Sequence, residues 1–231
     1  MIKLIQNLLI AAFMLLCVNL YGQDAISKIL NVPYLTQPNG ETCQSTCLRM
    51  MAMYYHNQMD SVPFEFRSIP QIWQEINTGD KRPNPGRNSW GNFVWWLNNN
   101  IIDRKFKSKE TNDEIEAILY IIDAIDNGAP ILLSVNHERS EGHIILVIGY
   151  ENYVPNQSTA DFRLICHDPN GKFDPELHSK LYGKEKYTGG MSLLGSGDYG
   201  PGYAVLLSPE SIKRNRNEFH NAGKFIMMTE E

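Results

Sequence analysis

Apolar positions fall into three patterns along this chain, and each pattern predicts a different element. The first is a continuous run. Residues 4–20 are apolar except at Gln6, Asn7 and Asn19, follow Lys3, and end at Tyr21-Gly22. This run is short for a bilayer span and has the order of an export signal: a positive start, an apolar middle, and a small residue before Gln23. Residues 1–22 are therefore expected to be a signal peptide. Residues 23–231 are expected to form one domain, periplasmic or secreted, with no stable membrane insertion after cleavage. A membrane anchor is the competing reading. A lipoprotein through Cys17 ranks lower, because Met14-Leu15-Leu16 puts no small residue beside the cysteine.

The second pattern has helical spacing. After the turn "TQPNGET", with its Asn39-Gly40 signal, Thr42 is placed to cap a helix from Cys43 to His56. That helix is apolar almost all round, so it is expected in the middle of the protein. Residues 63–87 read as Pro- and Asn-rich loops around a short helix near 69–76. Residues 89–100 ("SWGNFVWWLNNN") read as an amphipathic helix whose tryptophans pack rather than form a substrate platform. Residues 110–127 predict a further helix with Ile115, Ile118, Leu119, Ile122 and Ile125 on one face, a Thr111–Glu114 capping box, and Gly128 as its stop.

The third pattern belongs to strands. Residues 29–35 form a short extended piece in which Pro33 excludes a helix interior. Residues 129–136, 142–151, 161–169 and 202–208 are rich in β-branched side chains and bounded by Gly, Pro and Asn. Helices come first and strands afterwards, which predicts an α+β fold with a helical lobe packed on an antiparallel sheet. The Gly-rich stretch 187–204 lacks the spacing of a phosphate loop and reads as a surface loop, a candidate lid over the cleft.

Composition narrows the function. The net charge is −5 at pH 7 and no Lys/Arg block stands out, so no nucleic-acid or anionic-membrane partner is expected. Beyond the leader the cysteines are Cys43, Cys47 and Cys166. An odd number in an exported chain leaves a thiol for chemistry.

A helix N-terminus favours a thiolate through its dipole and its unpaired N–H groups. Cys43 sits at such a start, whereas Cys47 lies one turn inside an apolar helix. The base candidate is His143, opening the strand "GHIILVIGYE". Asp168 in "ICHDPNG" ends the following strand, and a hairpin of the two could bring the carboxylate to the imidazole and fix its tautomer. Gln37, ahead of Cys43, could hold an oxyanion together with the Cys43 N–H. Each residue also has a structural reading: a buried thiol, a satisfied strand-end histidine, a turn aspartate, a loop glutamine. His137 and His167 compete for the base role. A metal held by His137, His143 and Asp168 is a minor alternative, and no cofactor or metal is expected. Cys166 shares a face with Asp168 and could approach Cys47.

The segments "VPYLTQPNGETCQSTCLRMMAMYY", "NGAPILLSVN", "GHIILVIGYE" and "HDPNG", in that order, resemble the bacteriocin-processing (double-glycine) peptidase-like branch of the papain-like cysteine peptidases over residues 29–171. The resemblance implies a papain-like fold, a Cys43–His143–Asp168 triad, and Gln37 in the oxyanion hole. Gln44 departs from the glycine usual after the nucleophile, and the hairpin loop 152–160 is long. The best-known members of that branch process leader peptides as part of export transporters; this chain shows no transporter segments, so that role is not carried over. The expected function is an exported cysteine peptidase acting on a peptide or protein through an acyl-thioester. The alternatives are a cell-wall peptide hydrolase or amidase, an acyltransferase with the same triad, and a non-catalytic peptide-binding module that keeps the fold.

Overall fold

The structure, a computed structural model, describes residues 24–58, 67–135, 143–155, 161–170, 204–207 and 225–231. The expected signal peptide, His137 and the Gly-rich stretch up to Tyr203 lie outside them. Among the described residues no helix is long and apolar enough to cross a membrane.

The elements run β1 (Ile26–Ile29), α1 (Cys43–His56), α2 (Ile69–Asn77), α3 (Trp90–Asn100), β2 (Phe106–Thr111), α4 (Glu114–Asp126), β3 (Ile131–Val135), β4 (His143–Tyr153), β5 (Arg163–His167), β6 (Val205–Leu207) and β7 (Phe225–Glu230). The strands form one seven-stranded sheet in the order β2-β7-β3-β4-β5-β6, with β1 also paired to β4. Every pairing is antiparallel. The expected α+β arrangement is therefore present. All five positions of β3 are buried, as a strand covered on both faces requires.

Helix α1 packs against α2, α3 and β4, and is buried on nearly every side. Cys47, Leu48, Met50, Met51 and Tyr55 are fully enclosed. Trp96 is enclosed as well, and its indole N–H donates to Glu75 at 2.7 Å, so this tryptophan packs as expected.

Several boundaries differ from the sequence reading, each for a physical reason. The strand expected over 29–35 is shifted back to Ile26–Ile29, where Gly149 of β4 lets it approach. A Cβ at Gly149 would lie 2.3 Å from the Lys28 carbonyl oxygen. Beyond Ile29, the chain leaves the ladder before Pro33. Residues 110 and 111, read as the start of a helix, close β2 instead, because β7 pairs with that strand along its whole length. Helix α4 starts later, with Asp113 as its cap accepting from the Glu116 N–H at 3.0 Å; Thr111 caps nothing by a Glu114 box and donates to Glu116. The buried face of α4 is Ala117, Ile118, Ile121, Ile122, Ala124 and Ile125, while Ile115 and Leu119 face outward at 67% and 50% exposure. Strands β2 and β7 carry no turn-bounded β-branched pattern and were not expected. β2 is an edge strand with exposed Lys107, a polar edge that resists further pairing.

Candidate active site

Cys43 is the first residue of α1. Thr42 occupies the cap position, but its side chain makes no capping bond and donates to the Asn39 carbonyl at 3.0 Å instead. The capping role expected of its hydroxyl is thus absent. No side chain from the cap therefore competes for the first-turn N–H groups, and that of Gln44 bonds the Cys43 sulfur at this helix start.

The register of β4 and β5 sets the next two residues. Leu146 opposes His167 and Val147 opposes Cys166. Side chains alternate along strands, so His143 and Asp168 fall on one face as diagonal neighbours. His143 Nε2–H donates to Asp168 Oδ1 at 2.7 Å, and both side chains are buried. Asp168 is itself positioned: its Oδ1 also accepts from the Asn170 N–H at 2.8 Å, and its carbonyl accepts from Tyr34 Oη at 3.0 Å. The ring of His143 hydrogen-bonds Cys43 as well. Since Nε2 is committed to Asp168, Nδ1 is the nitrogen left for the sulfur.

The electrostatics follow from this chain of contacts. Burial alone would push the Cys43 thiol up. The His143 hydrogen bond and charge, then the backbone N–H groups of Ile144 and Gln44, outweigh burial and hold the thiol below its ordinary value. Burial would lower His143, yet the Asp168 charge and hydrogen bond, with Cys43, push it up to about 10. The two shifts favour a thiolate–imidazolium pair. Cys47 is the opposite case: burial, followed by the neighbouring Cys43, Asp168 and Cys166, pushes its thiol well up. Its Sγ donates to the Ile144 carbonyl at 3.5 Å. Among the described residues no disulfide is formed, so Cys47 and Cys166 are near one another but unlinked.

Brief alkylation with iodoacetamide near pH 6, read by peptide mapping, should label Cys43 far faster than Cys47. His143→Ala should slow the Cys43 reaction, because it removes both the hydrogen bond and the charge that favour the thiolate. Equal labelling of the two thiols would mean that the helix start holds an ordinary cysteine.

Gln37 reaches the same neighbourhood through its backbone. Its N–H donates to the Pro169 carbonyl at 2.6 Å, which ties the segment ahead of α1 to the turn carrying Asp168. Its amide Oε1 is buried with no hydrogen-bond partner among the described residues. The competitor His167 is occupied elsewhere. Nε2 donates to the Val32 carbonyl at 3.0 Å, Nδ1 accepts from the Ala204 N–H at 3.3 Å, and burial pushes the ring down to about 4. A neutral ring with both nitrogens engaged serves structure. Among the described residues no group of three or more His, Cys, Asp or Glu side chains could hold a metal ion.

One part of the site escaped the sequence reading. Gln44, noted only as a departure, is buried and contacts the sulfur, and Asn88 holds its far end. Nothing local in "PGRNSWGN" marks Asn88 for this contact. The Asn170-to-Asp168 turn, by contrast, was readable in "DPNG" as an aspartate bonding two residues on.

The model of the Peptidase_C39 like family matches residues 29–190, a span that includes Gln37, Cys43, His143 and Asp168. No curated protein matches the chain. Similar solved structures include two of low sequence identity. A candidate C39-like peptidase from Bacillus anthracis is 16% identical, over 64% of this chain and 85% of that one, with a TM-score of 0.42. UfSP from C. elegans is 12% identical, over 93% of this chain but only 35% of its own length, with a TM-score of 0.50; that likeness is one of fold.

Proposed function

The chain belongs to the Peptidase_C39 like family of papain-like cysteine peptidases, and from that premise we propose that it hydrolyses a peptide or amide bond through Cys43, His143 and Asp168. One observation carries the reading: a single imidazole, His143, bonds Asp168 at 2.7 Å on one side and Cys43 on the other, at a helix N-terminus.

The steps follow from these contacts. Cys43 Sγ attacks the carbonyl carbon, and the carbonyl π pair moves onto oxygen. The Cys43 backbone N–H and the Gln37 carboxamide hold that oxyanion. Collapse expels the amine, which takes its proton from His143 and leaves an acyl-thioester. Water then gives a proton to His143 and attacks the thioester, and the thiolate departs. Asp168 keeps Nε2–H pointed at itself, so that Nδ1 faces the reaction throughout. The protein is exported by residues 1–22, and its substrate is a peptide or protein.

An electrophilic peptide aldehyde should form one adduct, at Cys43, and hydrolysis of a peptide library in ¹⁸O-water should place the label in each new carboxyl group. Cleavage that persists when Cys43 is fully blocked would overturn the reading. Turbidity loss with purified cell walls, without cleavage of free peptides, would move the substrate to cell-wall peptides while leaving the mechanism in place.

A further inference from the structure

Gln44 directly follows the nucleophile and is only 3% exposed, so its carboxamide needs protein partners at both ends. At one end Oε1 lies 3.4 Å from the Cys43 sulfur, placed to accept from the thiol in its neutral form. At the other, Nε2 donates to Asn88 Oδ1 at 2.7 Å.

Asn88 is held firmly. It takes a left-handed conformation at φ 55°, which asparagine tolerates better than most residues. Its N–H donates to Oδ1 of the buried Asn77 at 2.7 Å. The loop leading to it is pinned by the fully buried Asn92. That side chain donates to the carbonyls of Ile76, Asn84 and Gly86 and accepts from the Asn84 N–H. This framework delivers one exposed asparagine to a buried glutamine that touches the reacting sulfur.

We propose that Gln44 and Asn88 are a coupled pair of amides that follows the charge on Cys43: the Gln44 carbonyl accepts from the neutral thiol, its NH2 donates to the thiolate, and the Asn88 amide turns over in step. This rests on the reading of Cys43 as the nucleophile.

A carbonyl oxygen near sulfur is attractive only while the sulfur carries its proton. Once His143 holds that proton, the same oxygen faces a thiolate. Rotating the Gln44 amide replaces that repulsion by an N–H···S⁻ bond, a charge-assisted contact. The Gln44–Asn88 bond is then remade with donor and acceptor exchanged, Asn88 Nδ2 donating to Gln44 Oε1. Asn88 is exposed, so water serves its outer atom in either orientation. Gln44 acts on the reacting atom, and Asn88 is a positioning residue that acts through Gln44. Other charged or titratable groups lie around the pair: His143 backed by Asp168, Cys47 one turn along α1, and the Glu41–Arg87 ion pair at 3.1 Å on the loop side.

The test is the pH dependence of Cys43 alkylation by iodoacetamide, followed by peptide mapping on the whole protein. In Asn88→Asp the carboxylate can only accept, which locks Gln44 with Oε1 on the sulfur. The midpoint for thiolate formation should rise by about one to two pH units, the worth of one hydrogen bond to a charged group. Asn88→Gly accepts the left-handed backbone and leaves Gln44 free to turn, so the midpoint should move by about half a unit or less. In a Gln44→Met background, Asn88→Asp should lose most of its effect. An Asn88→Asp shift of the same size with and without Gln44 would mean that the new charge acts directly, and would overturn the coupling; so would no shift at all. A wild-type midpoint in the ordinary thiol range would overturn the nucleophile reading itself, a separate outcome. Should Asn88→Asp not fold, Gln44→Glu puts an acceptor-only group on the sulfur and should raise the midpoint in the same way.

Discussion

Cys43→Ala is expected to abolish peptide turnover, lowering kcat by roughly five to six orders of magnitude, the scale seen when an enzyme loses the nucleophile of a triad that works as a unit. The proposed reaction begins with a C–S bond, and the other thiol of α1, Cys47, is fully buried one turn along with its ionisation pushed well up. Ser45, the nearest hydroxyl, donates to the Thr42 carbonyl at 3.1 Å and is fully buried. The fold should survive, because the change removes one small atom at a helix end. A thermal unfolding scan beside the activity assay separates loss of chemistry from loss of structure. Asp168→Asn should be less severe: the amide can still hold the ring nearby, but it no longer favours the protonated imidazole. Turnover retained in a well-folded Cys43→Ala variant would show that the thiol is not the nucleophile.

Gln37→Ala is expected to lower kcat by roughly 10²–10³-fold while KM changes little. That is the cost of removing one donor aimed at charge that exists only in the transition state. Two features support assigning Gln37 this role. Its backbone is tied to Pro169, beside the carboxylate that orients His143. Its buried amide oxygen has no partner among the described residues, so no hydrogen bond at that oxygen has to break when the amide turns toward an incoming carbonyl. Steady-state kinetics on any peptide found in the library screen will decide. An unchanged kcat with a raised KM would make Gln37 a group that binds substrate in its ground state. Gln37→Glu offers a sharper version, since a carboxylate in that position would repel the oxyanion and should be slower still.

What could be read from the sequence alone was local. The Asn-Gly turn before an apolar helical run located the start of α1 at Cys43, because turn chemistry and helix periodicity act over a few residues. The hairpin of β4 and β5 was legible in the same way, since each strand is a bounded apolar run and the side-chain period of two places His143 and Asp168 on one face. Tertiary structure decided whatever depended on partners distant in the chain. Residues 110 and 111 have adequate helix-start chemistry, yet they lie in a strand because β7, from the far end of the chain, supplies backbone partners that a helix start cannot match. Ile115 and Leu119 fit a helical stripe, but the sheet reaches only the side of α4 that carries Ile118, Ile122 and Ile125. Gln44 looked like a simple departure beside the cysteine. Its role depends on Asn88, which a framework of asparagine hydrogen bonds folds back onto it. Spacing rules describe neighbours within a turn or across a tight hairpin; an amide needs a partner in space, and only packing supplies one.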